Sequence, residues 1–388
     1  MAEPCHTMAN VRHKRCLLER LRALALSLLF FVPVIAFAEE PASTNLPPIL
    51  IDAAGTGFVA DGKPFRLWGV NYDHAGDGRL LEEYWSESWD EVVADFGEIR
   101  ELGANVVRIH LQVGAFMRSS NETNPEALAR LRKVLDLAEA NRLYLDITGL
   151  ACYHKDKVPA WYDALDDAAR WDVQAAFWKA IAETCRDRSV VFCFDLMNEP
   201  VLPGKEKADG YLVGEPLGGK YFVQRIALEL GERSRKELAK AWVDKLTGAI
   251  RAVDKDRLIT VGVIPWAHTW PTAKPLFYSP EVGANLDFVS VHFYPQKGKV
   301  EKALAALKVY ELGKPLVIEE MFPLKCGFDD MDKFLVGSEE HVDGWMSFYW
   351  GETEADYAKK KDDMTAAIMG KWLKEFRERS GRMKGAVE

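Results

Sequence analysis

Two short runs carry side chains that can serve as an acid and a nucleophile. The first is Asn198-Glu199-Pro200, at the end of the apolar stretch Val190-Val191-Phe192-Cys193-Phe194-Asp195-Leu196-Met197. The second is Glu319-Glu320, which closes Lys314-Pro315-Leu316-Val317-Ile318. Each apolar stretch has the length of a buried strand and stops where polar residues arrive. Pro200 has no N–H to continue a ladder and is expected to restrict Glu199 to an extended conformation. At the mouth of an apolar strand a carboxyl group is expected to hold its proton more readily, because desolvation disfavours the charged form. Strand alternation is expected to send Glu319 and Glu320 to opposite faces, so that only one shares an opening with Glu199. Two opposed carboxyl groups suit cleavage of a glycosidic bond. One protonates the leaving oxygen while the other stays ionised as nucleophile or base.

Those carboxylates need a frame, and the chain supplies one by alternating between two hydrophobic periods. Strand-like runs fall at Phe65–Asn71, Asn105–Leu111, Leu143–Leu150, Val190–Met197, Leu258–Ile264, Leu286–Tyr294, Pro315–Met321 and Gly344–Trp350. Between them lie helical stripes such as Leu128, Leu131, Leu135 and Ala138, or Leu238, Trp242, Leu246 and Ile250. One final helix is expected over Asp356 to Arg379. The fifth unit is the weakest, since Trp266 to Val282 is rich in Pro and Trp and shows no clean helix. Strands alternating with helices imply parallel βαβ units, and the length suits an α/β fold, a (β/α)8 TIM barrel. A small N-terminal β-hairpin, with Asp61-Gly62 as its turn, precedes it. An open doubly wound sheet lacks the Gly-rich turn that its usual ligands need after the first strand.

In such a barrel the C-terminal ends of strands four and seven face one another across the opening. Other strand ends supply partners: Arg108 to hold a nucleophile ionised, and His292 and Tyr294 on one face as hydrogen-bond donors. Trp350 closes the eighth strand, while Trp266 and Trp270 follow the fifth, and aromatic faces of this kind pack on pyranose rings. The long connection Leu202 to Phe222, rich in Gly and Pro, is expected to form a cleft wall or lid.

The first 38 residues read as an address. Arg12, Lys14, Arg15, Arg20 and Arg22 precede the apolar run Ala23 to Ala38, which closes on Ala36-Phe37-Ala38. Residues 1–38 are therefore expected to be a secretory signal peptide, 39–48 a linker and 49–388 one catalytic domain. The leader carries +3, so a chain of net charge −9 becomes −12 on cleavage. That balance gives no support to nucleic-acid binding, and no other stretch approaches membrane-spanning length. The expected location is secreted or periplasmic. Four cysteines remain, Cys152, Cys185, Cys193 and Cys326, whose spacing matches no metal motif and whose pairing stays open.

Taken together, these residues resemble the cellulase-type glycoside hydrolases, family 5 of clan A, from about Phe58 to the final helix. Arg108 matches the family's second-strand arginine, Asn198-Glu199-Pro200 its asparagine and acid/base glutamate, and His292-x-Tyr294 its sixth-strand pair. Trp350 matches its strand-eight tryptophan. The family's nucleophile follows a Pro-led apolar strand and precedes an aromatic, which selects Glu320. The resemblance implies a retaining hydrolase of β-glucan, β-mannan or a related β-glycoside. In it Glu320 attacks the anomeric carbon, Glu199 acts as acid and then base, and no metal or organic cofactor takes part. The partner implied is an oligo- or polysaccharide. Thr148 stands where many members carry a histidine, with His154 as the candidate to replace it. Met321-Phe322 stands where an aromatic-glycine pair is common. Two other classes are a non-catalytic carbohydrate-binding relative and a metal-dependent hydrolase using His110, His154 and His292.

Overall fold

The computed structural model describes residues 46–349 and 351–385; the expected signal peptide and Trp350 lie outside the described residues. Seven of the apolar runs form single parallel strands. These are β1 Leu67–Asn71, β2 Val106–Gln112, β3 Tyr144–Ala151, β4 Val191–Asp195, β6 Val289–His292, β7 Leu316–Met321 and β8 Gly344–Phe348. The remaining run, β5, is in two pieces, Leu258–Thr260 and Gly262–Val263. The first piece pairs with β4 and the second with β6. All other neighbours pair in sequence order, and β8 closes against β1. The ring is thus completed through an interrupted strand, giving the expected (β/α)8 barrel.

Three of the crossover helices begin where a side chain satisfies the free N–H groups of the first turn. Asn124 caps Pro125–Ala140, Asp166 caps Asp167–Cys185, and Ser234 with Glu237 forms a capping box on Arg235–Arg251. Their inner faces are the apolar stripes, with Leu131 and Leu135, Phe177 and Trp178, and Trp242 and Leu246 buried against the barrel. The fifth unit has only the short helix Trp266–Thr269 and two 3-10 turns, as its Pro content suggests. The expected last helix is in fact two, Glu354–Lys359 and Met364–Met383. Asp362 breaks it with a φ of +67°, and Asp363 caps the second piece.

Below the barrel, the expected hairpin carries a third strand. Ile49–Ile51, Phe58–Ala60 and Lys63–Phe65 form an antiparallel meander. Its Asp61-Gly62 turn has φ of +52° and +69°, the pair of positive values that a type I′ hairpin requires. Phe58 packs edge-on against Phe192 and Phe288 and so plugs the N-terminal end of the barrel. Leu46, inside the expected linker, is buried in the same core. Cys152, Cys185, Cys193 and Cys326 are all buried free thiols. Among the described residues no helix is long and apolar enough to cross a membrane.

The interruption in β5 leaves Val261 without a ladder partner, and Tyr278 replaces it. Its hydroxyl donates to the Val261 carbonyl at 2.6 Å and accepts from the Val261 and Ser290 N–H groups at 3.2 and 2.9 Å. Tyr278→Phe removes one atom and strands three buried backbone groups, each worth ~1–3 kcal/mol when unsatisfied. Allowing for relaxation, the variant is expected to lose roughly 2–4 kcal/mol. Urea unfolding checks this, with a lowered midpoint and an unchanged slope as the expected result.

Candidate active site

Arg108 leaves β2 inside the barrel and is fully buried. Its guanidinium reaches four partners: Nη1 donates to Asn71 Oδ1 and Glu320 Oε1, both at 2.9 Å. Nη2 donates to Asp195 Oδ2 at 2.7 Å and Asn198 Oδ1 at 3.0 Å. A buried cation is tolerated only when paired and hydrogen-bonded, and here the pairing supplies the site. Glu320 Oε2 accepts from the Tyr294 hydroxyl at 2.7 Å, so both oxygens of this carboxylate are held. Burial, and then the charge of Glu320, pushes the Tyr294 phenol well above its ordinary range, and it remains a donor.

The two glutamates of β7 do not point to opposite faces. Val291 pairs with Ile318, but the next residue, His292, pairs with Glu320, so one residue of β7 is skipped. This bulge turns both carboxylates inward. Glu319 Oε2 lies 3.7 Å from both Arg108 Nη2 and His292 Nε2, and neither Glu319 oxygen has a hydrogen-bond partner. Burial raises the affinity of Glu319 for a proton, but Arg108 and His292 outweigh it and hold its carboxyl below the ordinary value. Asp195, just above, is pushed up to about 6 by burial and by the charge of Glu319.

His292 stands between Glu199 and Glu320. Its Nδ1 is 3.0 Å from Glu199 Oε1 and 3.5 Å from Glu320 Oε2. Glu199, His292 and Glu320 each offer an atom within 4.8 Å of the other two. Burial alone would strip the imidazole of its proton. The charge of Glu320, the hydrogen bond to Glu199 and the nearby Glu319 carboxylate prevail and push it up to about 10. The imidazolium separates two carboxylates that would otherwise repel.

Glu199 departs from the extended conformation that Pro200 was expected to impose. Its φ is +45°, a strained value for a residue with a Cβ, and its N–H donates to the Gly262 carbonyl at 2.9 Å. The turn carries the carboxyl back over the barrel mouth, toward His292. Asn198 is fixed from the far side, where its Nδ2 donates to the Phe222 carbonyl at 2.9 Å.

Arg108, Asn198, Glu199, His292, Tyr294 and Glu320 are therefore brought together. His154 is not with them. It sits 3.0 Å from Glu83, beside Lys157 in a small cavity of about 200 Å³, and the three histidines of the metal reading do not converge. Thr148 donates to Asp195 at 2.9 Å, beneath Arg108. Trp266 is exposed and pairs with Trp270 at 5.4 Å between ring centroids. Both line a cleft of about 620 Å³ with Pro200 and Val201, immediately downstream of Glu199. Sequence reasoning passed over Asn71 and Asp195, and set Glu319 aside in favour of Glu320. Asn71 also accepts from His110 Nε2 at 3.2 Å and donates to the Glu319 carbonyl at 2.8 Å.

With this geometry the comparisons with known proteins agree. The model for Cellulase (glycosyl hydrolase family 5) matches residues 59–364, and the chain belongs to that family of glycoside hydrolases. A search of curated proteins gave no match. Among solved structures, the exo-β-1,4-mannosidase of an Opitutaceae bacterium, strain TAV5, is 18% identical with a TM-score of 0.63. That match covers 86% of this chain and 62% of the mannosidase, so this chain spans under two thirds of its length. The catalytic domain of endoglucanase Cel5A from Thermobifida fusca is 17% identical at TM-score 0.54, covering 85% of this chain and 97% of that one. The β-mannanase of the blue mussel Mytilus edulis is 14% identical at 0.58, with 87% and 97% covered. Likenesses at these identities show the barrel.

The His292 proton has a consequence for stability. A pKa raised from 6.5 to about 10 stabilises the native state fully below pH 6.5, and that contribution is lost as pH rises through about 10. His292→Gln is expected to cost roughly 2–4 kcal/mol near pH 6 and much less near pH 10.5. Urea midpoints of both proteins at the two pH values check this, and the gap between them should narrow as pH rises.

Proposed function

We propose that the protein is an exported, retaining β-glycoside hydrolase acting on β-mannan, β-glucan or a related β-linked saccharide. The observation that carries this reading is the placement of Glu199 and Glu320 about one imidazole, with their nearest oxygens inside 4.8 Å. Double displacement requires carboxyl groups ~5–5.5 Å apart, whereas inversion needs ~6.5–9.5 Å to admit a water. The leader of residues 1–38 supports export, and residues 49–388 then form a single catalytic domain. The mannosidase, mannanase and endoglucanase neighbours support a β-linked hexose substrate.

In the first step Glu320 Oε2 or Oε1 attacks the anomeric carbon, and the electron pair of the glycosidic bond leaves with the departing oxygen. Glu199 protonates that oxygen. Arg108 and Tyr294 keep Glu320 aimed, and the fixed dipoles cost no reorganisation when charge moves. In the second step Glu199, now a base, takes a proton from water, which displaces Glu320 from the sugar. His292 stands 3.0 Å behind Glu199 and buffers its change of charge. Asn198, locked by Phe222 and Arg108, is placed to bind the hydroxyl next to the anomeric carbon. Trp266 and Trp270 provide the platform for the leaving sugars.

Separate Glu320→Gln and Glu199→Gln variants test this. Glu320→Gln is expected to lose activity on every β-glycoside, by at least ~10⁴-fold, because no nucleophile remains. Glu199→Gln should lose ~10²–10⁴-fold on saccharides. On aryl glycosides with acidic phenols its first step should survive, and a burst of phenol should appear. A wild-type protein that binds mannooligosaccharides without turning over any β-glycoside would instead establish the binding-module reading.

A further inference from the structure

The chain between β4 and β5 does not run over the outside of the barrel. It leaves β4 through Pro200–Val201, turns at a hairpin that includes Leu212–Val213, and returns as Val223–Arg225 alongside Pro200–Val201. Its inner edge packs on the end of the neighbouring strand β3. Tyr221 N–H donates to the Tyr153 carbonyl at 2.9 Å, Gln224 Nε2 to the Leu150 carbonyl at 3.2 Å, and the Phe222 ring lies 4.8 Å from that of Tyr153. Tyr153 in turn covers His110 on β2. Lys220 reaches the loop after β1, where its Nζ lies 3.4 Å from the position a Cβ on Gly78 would take. The strap therefore seals the side of the opening formed by β1, β2 and β3.

One carboxylate oxygen sits unsatisfied under that seal, with a lysine near it. Lys220 is only 4% exposed as a residue, with its ammonium still reached by solvent. Asp73 is 1% exposed; its Oδ1 contacts His74 Nδ1 at 2.9 Å, but its Oδ2 has no partner. The two attract each other across a gap wider than ion-pair distance: burial works against an ionised Asp73, but His74 and the Lys220 charge hold it well below the ordinary range. Burying a carboxylate oxygen without a partner is costly unless a ligand completes it. Asp73 lies two residues past the end of β1, close enough to His110 of β2 and to Lys220 for their charges to act on it.

The direction of the substrate follows from the acid. Glu199 must stand on the leaving-group side, and the cleft beside it runs along Pro200, Val201, Trp266 and Trp270. The sugar that becomes bound to Glu320 therefore points its far end toward β1 and the strap. The geometry points to Asp73 and Lys220 as the recognition site for the free hydroxyl groups at the non-reducing end of the chain, which makes the enzyme exo-acting. A hydroxyl between them donates to the carboxylate and accepts from the ammonium, completing both. A further sugar at that hydroxyl would have no proton to donate and no room beyond the strap. This inference rests on the hydrolase reading and adds the end of the chain that is attacked.

The test uses the mature protein with reducing-end-labelled manno- and gluco-pentaoses. The expected products are monosaccharide and a labelled chain one unit shorter at each step. Lys220→Met keeps the length of the side chain and removes its charge. It should lower kcat/KM on the pentaose by about 10- to 100-fold, the worth of a hydrogen bond to a charged group. A substrate whose terminal hydroxyls are replaced one at a time by hydrogen should lose as much with the wild type and little further with Lys220→Met. A purely structural lysine would not give that loss of discrimination. Mid-chain cleavage to mixed oligosaccharides, or unchanged discrimination in Lys220→Met, overturns the inference while leaving the hydrolase reading intact. Absence of any hydrolysis, aryl glycosides included, overturns both.

Discussion

The site depends on the guanidinium of Arg108. Sealed from water, it carries a charge that the barrel interior could not hold alone, so the surrounding strands must each send it an acceptor. β1 sends Asn71, β4 sends Asp195 with Asn198 just beyond, and β7 sends Glu320. The rigid planar fork admits few arrangements of four acceptors, which is why an arginine and not a lysine can organise the centre. The same requirement fixes Glu320. Its carboxylate is aimed because its oxygen completes Arg108, and the cost of desolvating the cation is offset by the groups gathered around it.

Around that fork the charges are arranged in two layers. The lower layer holds Glu319, with Asp146 and Asp195 close enough for their protons to be held more tightly by its charge; burial is the larger cause for both. The upper layer holds Glu199 and Glu320, with the His292 imidazolium between the layers. A carboxylate beneath the histidine gives it a reason to remain charged that does not depend on Glu199 or Glu320. In the proposed reaction, His292 keeps Glu319 as a constant neighbour while the Glu199 proton is given up and replaced. The bulge in β7 is what makes this possible, since a regular strand could not turn Glu319 and Glu320 to the same face.

Much of this was legible in the sequence because the signals are local. Apolar runs of strand length marked the strands, and polar residues at their ends marked Arg108, Glu199, His292, Tyr294 and Glu320. The failures share a different cause. Whether a ladder skips a residue at Glu319, or the backbone turns to positive φ at Glu199, depends on the neighbouring strands and leaves no trace in periodicity. Asp195 lies within a run that reads as apolar, and only the position of Arg108 explains it. Lys220 sits in a Gly-rich polar stretch that reads as solvated, and its burial comes entirely from the chain folding back over Tyr153. His154, marked because it follows β3, is drawn away by Glu83 and Lys157.

The interruption of β5 ties the frame to the chemistry. At Gly262 the strand must serve both neighbours: its N–H donates to Asp195 Oδ1 at 2.8 Å and its carbonyl accepts from Glu199 at 2.9 Å. An uninterrupted β5 would spend those groups on ladder pairing. A side chain there is also excluded, since a Cβ would stand 2.7 Å from His292 Nε2 and 2.8 Å from Glu319 Oε2. The strand therefore breaks at the residue before, and the Tyr278 hydroxyl takes over the hydrogen bonds that the break abandons. The barrel gives up a regular fifth strand, and the left-handed Glu199 peptide gains the anchor that holds its carboxyl above His292.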